Sequence, residues 1–122
     1  MKFQPDLITG ANVISGYTPD SVTINQQRWQ RSLVLPSQGE VLDWPVERFE
    51  DLGPEHFEAL AIGSPELVIF GSGARLRFVK PECLRPLLER RIGVETMDTA
   101  AACRTYNILV AEGRRVVAGL LL

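Results

Sequence analysis

At 122 residues, with 45% apolar and 23% charged side chains, the chain has the balance of a globular protein and the length of one domain spanning 1–122. A net charge of −2 argues against general attraction to nucleic acid or to an anionic membrane, and the longest apolar run, residues 116–122, falls far short of the roughly 20 residues of a membrane helix. Two cysteines without a CxxC motif and a single histidine argue against a secreted disulfide framework and against a zinc site, so no metal or cofactor is implied.

The first third reads as antiparallel β structure. Residues 7–15 are rich in β-branched side chains but broken by Gly10, and Tyr17-Thr18-Pro19-Asp20 is a turn. Val22 and Ile24 alternate with polar residues, and Asn25-Gln26 can turn the chain. Trp29, Leu33 and Leu35 then share one face of a following strand, with Arg31 an exception on that face, until Pro36-Ser37-Gln38-Gly39 ends it. The middle is helical in two pieces. Val46, Phe49 and Leu52 are spaced for a short amphipathic turn stopped by Gly53, and Pro54 opens a second helix with Phe57, Leu60 and Ala61 on one face and Gly63 at its end.

The C-terminal half has a β-α-β-α-β rhythm. Leu67-Val68-Ile69-Phe70 is a continuous apolar run of the kind buried on both faces of a sheet. A helix follows from Pro81 to about Arg91, with Leu84, Leu87 and Leu88 inward and Arg90 and Arg91 in the last turn. Residues 93–97 form a strand, Asp98 or Thr99 caps a helix to about Ala111, and residues 115–122 form a last strand. Such units build a mostly parallel sheet with right-handed crossovers. The helix 99–111 is apolar almost all round, so the N-terminal half or a second subunit is expected to cover it.

Charge is uneven along the chain. Residues 1–60 hold four basic and nine acidic side chains (−5), and residues 61–122 hold nine basic and six acidic ones (+3), so any anion site belongs in the C-terminal half. Gly71-Ser72-Gly73 ends the apolar strand, where glycine permits positive φ and close ligand approach. It reads either as a tight turn or as the mouth of a pocket. It is not a nucleotide loop, because Leu76 stands where a third fingerprint glycine belongs and no Gly-Lys-Ser/Thr follows. Arg75 and Arg77 alternate with Leu76 and Phe78, placing both guanidinium groups on one face, either as a carboxylate or phosphate fork or as a solvated edge. Asp98 and Thr99 lie at the carboxyl end of the sheet, where ligands of open α/β folds bind, or serve simply as a helix cap. Tyr106 and Asn107 are read as ties from the helix to a neighbouring loop, His56 as exposed, and Cys83 and Cys103 as small core residues, which leaves no catalytic triad. Trp29, Trp44 and Phe49 suit either a core or an interface.

The stretch Gly-Val-Glu-Thr-Met-Asp-Thr-Ala-Ala-Ala-Cys-Arg-Thr-Tyr-Asn-Ile-Leu-Val-Ala-Glu-Gly-Arg-Arg-Val from Gly93 resembles a small family of unknown function typified by an archaeal structural-genomics protein. The mitochondrial respiratory complex I assembly factor 3 resembles that family as well. Phe70-Gly71-Ser72-Gly73 and Trp44 also fall where the family has similar residues. The likeness covers most of the chain, with the C-terminal third its specific part. It implies a three-layer α/β fold around a mixed sheet of about five strands, and a family with no established enzymatic reaction. Residues 1–6 lack the apolar core of a signal peptide and the Arg-rich pattern of a transit peptide, so the expectation is a soluble, cytoplasmic member of bacterial or archaeal type.

Two functions fit these residues. One, which the resemblance implies, is a non-enzymatic interaction or assembly-factor-like module that binds a protein partner or itself, linked to a respiratory membrane complex. The other is a small-anion or metabolite binder, even an enzyme, using Gly71, Ser72, Gly73, Arg75, Arg77, Asp98 and Thr99.

Overall fold

The computed structural model describes residues 10–122. Residues 7–9 of the first expected strand lie outside them. The remainder enters β1 (Ile14–Thr18), pairs antiparallel with β2 (Ser21–Ile24), and turns at Asn25 and Gln26 into β3 (Gln27–Trp29). Both turn residues have positive φ, 51° and 71°, the geometry of a two-residue hairpin that follows strand twist.

The strand expected to run from Trp29 to Leu35 is in fact two. β3 closes the three-stranded sheet, and after a break at residues 30–32 β4 (Leu33–Pro36) joins a different, five-stranded sheet of order β5-β4-β8-β6-β7. Arg31, the residue that broke the alternation, sits in that break and pairs with Asp43 at 2.9 Å. β5 (Leu42–Asp43) is a short edge that blunts this side of the sheet.

The expected helix over Val46, Phe49 and Leu52 is only a 3₁₀ turn at Phe49–Asp51. α1 (Pro54–Glu58) opens on Pro54 as anticipated and tightens into a 3₁₀ turn through Ala61. Then come β6 (Leu67–Gly71), α2 (Pro81–Glu89), β7 (Gly93–Met97), α3 (Thr99–Ala111) and β8 (Val116–Leu120). β6 is parallel to both β7 and β8, and β4 is antiparallel to β8. The chain steps outward from β6 to β7 and then back past β6 to β8. Under the right-handed crossover rule, that reversal sends α2 and α3 to opposite faces of the sheet.

The cores show this division. On one face Ile69, Val116, Ala118 and Leu120 meet α3 and the hairpin residues Ile14, Val22 and Ile24. On the other, Val68, Phe70, Val117 and Leu121 meet Trp44, Phe57, Leu60, Cys83 and Leu87. Successive residues of β6 and β8 alternate between the two, as a sheet covered on both faces requires. The result is three layers: α3 with the hairpin sheet, the central sheet, and α1 with α2. One expectation within α2 is corrected. Leu88 is exposed, and Cys83 takes the inward place beside Leu87, because the helix begins at Pro81 and the 83–87 spacing faces the sheet.

Hydrogen bonds hold the hairpin layer to α3. The Asn107 amide donates to Ile14 O (2.7 Å) and accepts from Ile14 N (3.0 Å), standing in for a strand partner at the β1 edge. Tyr106 donates from its hydroxyl to Asn12 O (2.9 Å) within the core. Asn12, a buried residue that sequence patterning does not mark, donates from Nδ2 to Pro36 O and Gly39 O and accepts from Asn25.

Burial pushes the Cys103 thiol up to about 11 and raises the Tyr106 phenol above its usual range. An unfolded chain loses its thiol proton near pH 8.5, while the folded chain keeps it to about 11. The unfolded state therefore binds fewer protons in that window, and stability falls as pH rises through it. The Tyr106 phenol acts in the same direction above about pH 10. Urea midpoints at pH 7.5, 9 and 10 are expected to fall in that order, with a shallower fall in Cys103→Ala. A flat profile contradicts this.

Candidate functional site

Gly71, Ser72, Gly73, Asp98 and Thr99 converge at the carboxyl ends of β6 and β7. Gly71 has no room for a side chain: a Cβ there would stand 3.0 Å from Thr99 Oγ1 and 3.1 Å from both Ala102 Cβ and Leu120 Cδ2. Gly73 turns the chain at φ +103°, and its N–H donates to Thr99 Oγ1 at 2.9 Å. Thr99 N–H donates back to Gly73 O at 2.9 Å, and Thr99 Oγ1 donates to Leu121 O at 2.9 Å. Ser72 is fully buried. Its N–H donates to Met97 O at 2.8 Å, and its hydroxyl lies 2.8 Å from Arg75 O and accepts from Arg77 N at 3.0 Å.

The N–H groups of Ser72 and Gly73 are therefore spent on the turn itself. An anion drawn here would have to be held by side chains. Asp98 is the N-cap of α3, accepting from Ala101 N at 2.8 Å, and adds a negative charge beside the turn.

Arg75 and Arg77 do not share a strand face. Residues 74–80 have no regular secondary structure, because no neighbouring strand pairs with them. Arg77 folds inward, its guanidinium 4.3 Å from the Phe49 ring centroid and 3.4 Å from Glu50 Oε2. Arg75 stays exposed.

The other chemically capable side chains act as struts. His56, expected to be exposed, is largely covered: its Nδ1 accepts from Gly53 N at 3.0 Å, and its carbonyl accepts from Trp44 Nε1 at 2.9 Å. Trp44 is core, edge-on to Phe57 and Phe70. Both cysteines are buried, and burial also raises the Cys83 thiol.

A cleft of about 280 Å³ opens at the opposite, amino-terminal end of β6 and β8, among Pro36, Ile62, Pro65, Val110, Arg114 and Arg115. None of the residues nominated from sequence lines it. The sequence signal that points there is the adjacent pair Arg114-Arg115. Both are engaged, Arg114 with Glu66 at 3.4 Å and Arg115 with the Ser64 carbonyl.

Fold and site together define a three-layer α/β protein whose glycine turn at the carboxyl end of β6 is held by its own hydrogen bonds. The chain belongs to the family described as Protein of unknown function (DUF498/DUF598), whose model matches residues 14–121. A crystal structure from Bordetella parapertussis superposes with a TM-score of 0.88 at 42% identity, over 93% of this chain and 97% of that one. A solution structure from Bordetella pertussis, described as a Mth938-like domain, gives 0.82 at 36% identity over 99% and 92%. The chain is also similar to NADH dehydrogenase (ubiquinone) 1 alpha subcomplex assembly factor 3 of Bos taurus, 34% identical over 113 residues, or 91% of this chain. It spans 61% of that protein's length. Among the described residues no helix is long and apolar enough to cross a membrane.

Proposed function

We propose that the protein is a non-enzymatic interaction module that works in the cytoplasm and assists assembly of a respiratory membrane complex by binding a protein partner. The observation that carries this reading is the 34% identity to complex I assembly factor 3 across 91% of the chain. The use of Ser72, Thr99 and His56 as structural hydrogen-bonding groups supports it, because it leaves them unavailable as nucleophile or base in this conformation. Affinity capture of the tagged protein from its own cells is expected to recover subunits of the NADH dehydrogenase. Recovery of nothing but further copies of the chain contradicts the reading.

A second reading, a small-anion site beside the glycine turn, is favoured by one observation: among the described residues the exposed Arg75 has no carboxylate within ion-pair distance. Phosphate or a metabolite at 100 times its dissociation constant would then stabilise the fold by about 2.7 kcal/mol. The gain should vanish in Arg75→Ala/Arg77→Ala, and a melt unmoved by any small anion rejects this second reading.

A further inference from the structure

We propose that residues 74–80, the rib between β6 and α2, are where the protein partner docks, and that the partner presents an acidic segment with apolar side chains. The proposal rests on the interaction-module reading and names its surface and the chemistry of its partner.

The rib reads Ala-Arg-Leu-Arg-Phe-Val-Lys. Leu76 is 51% exposed and Phe78 is 70% exposed. Their backbone is pinned on both sides. Arg77 N–H donates to buried Ser72, the Arg77 guanidinium lies over Phe49, and Lys80 O accepts from Cys83 N at 2.9 Å as α2 begins. A large aromatic group held in water on a fixed backbone is a ready interface anchor, since little further ordering is needed on association.

Charge selects the partner. The rib carries three cations and no acid. Among the described residues only Arg77 of the three has a carboxylate within ion-pair distance, Glu50. Arg75 and Lys80 thus flank the two apolar side chains with positive charge, which an acidic segment complements. The whole chain is −2, so attraction to an acidic segment is local to Arg75 and Lys80 rather than a long-range pull of the whole molecule.

Benzoylphenylalanine placed at position 78, and in a separate variant at the exposed Ile108 on α3, is photolysed in the protein's own cells, and the crosslinked peptide is sequenced by mass spectrometry. The expected adduct at 78 is a peptide of another protein that is net acidic and carries aliphatic or aromatic residues, with no matching adduct at 108. Its yield should fall about tenfold in Arg75→Glu/Lys80→Glu, whose melting temperature stays at the wild-type value. An adduct to phospholipid, to nucleic acid, to a second copy or to a neutral or basic peptide overturns the proposal, as does the absence of any adduct. The two readings fail separately. An acidic partner foreign to any respiratory complex upholds the docking surface and removes the assembly role. Loss of the complex on gene deletion, with no adduct at 78, does the reverse.

Discussion

Phe70→Ala is expected to lower the free energy of unfolding by about 3–5 kcal/mol, the range for removing a fully buried aromatic side chain. Phe70 has no solvent exposure and meets Phe57 edge-on at 5.1 Å, Trp44 edge-on at 6.0 Å and Phe49 stacked at 6.4 Å. It stands on β6, which has paired strands on both sides, so the backbone cannot move in to fill the void. Because a domain of this size has about 5–15 kcal/mol in total, the loss should show as a much lower urea midpoint at unchanged slope. Leu88→Ala, on the exposed side of α2, is expected to stay within about 0.5 kcal/mol. A Phe70→Ala loss below about 1 kcal/mol contradicts the aromatic cluster as the organiser of this layer.

Thr99→Val is expected to cost about 2–4 kcal/mol, although the two side chains are nearly the same shape. Thr99 Oγ1 accepts from Gly73 N and donates to Leu121 O, so one hydroxyl ties the β6 turn, the start of α3 and the end of β8. Valine leaves both backbone groups covered and unpaired, each worth about 1–3 kcal/mol. Thr99→Ser should recover most of the loss, while Asp98→Ala, which removes an ordinary helix cap, should cost about 1 kcal/mol. Amide exchange at Gly73 separates local from global effects: in Thr99→Val it should speed up beyond what lower global stability explains. Unchanged stability and exchange would remove the hydroxyl from the account.

The C-terminal half was legible because each of its elements carries its own boundary signals. Residues 93–97 and 99–111 fall where the sequence places them, with Asp98 capping the helix. The N-terminal half depends on partners far along the chain. Trp29 and Leu33 look like one strand, and only Arg31 hints that the chain leaves one sheet for another. Asn12 is an inconspicuous polar residue in sequence and becomes central only because Tyr106, 94 positions later, folds onto it. At the candidate site, the convergence of Gly71, Ser72, Gly73, Asp98 and Thr99 was readable from the β-α-β rhythm. That their donors and acceptors satisfy one another was not, since it depends on distances of a few tenths of an ångström. The alternation of Arg75, Leu76, Arg77 and Phe78 imitates a strand that no neighbour pairs with, so the apolar side chains stay outside while Arg77 turns in.

The proposed role in assembling a respiratory membrane complex can be checked by deleting the gene in its own host and measuring assembled NADH dehydrogenase on native gels together with NADH:quinone oxidoreductase activity. Loss of the full-size complex, accumulation of partial assemblies, and restoration by the wild-type chain are expected. Full-size, fully active complex in the deletion strain would contradict it.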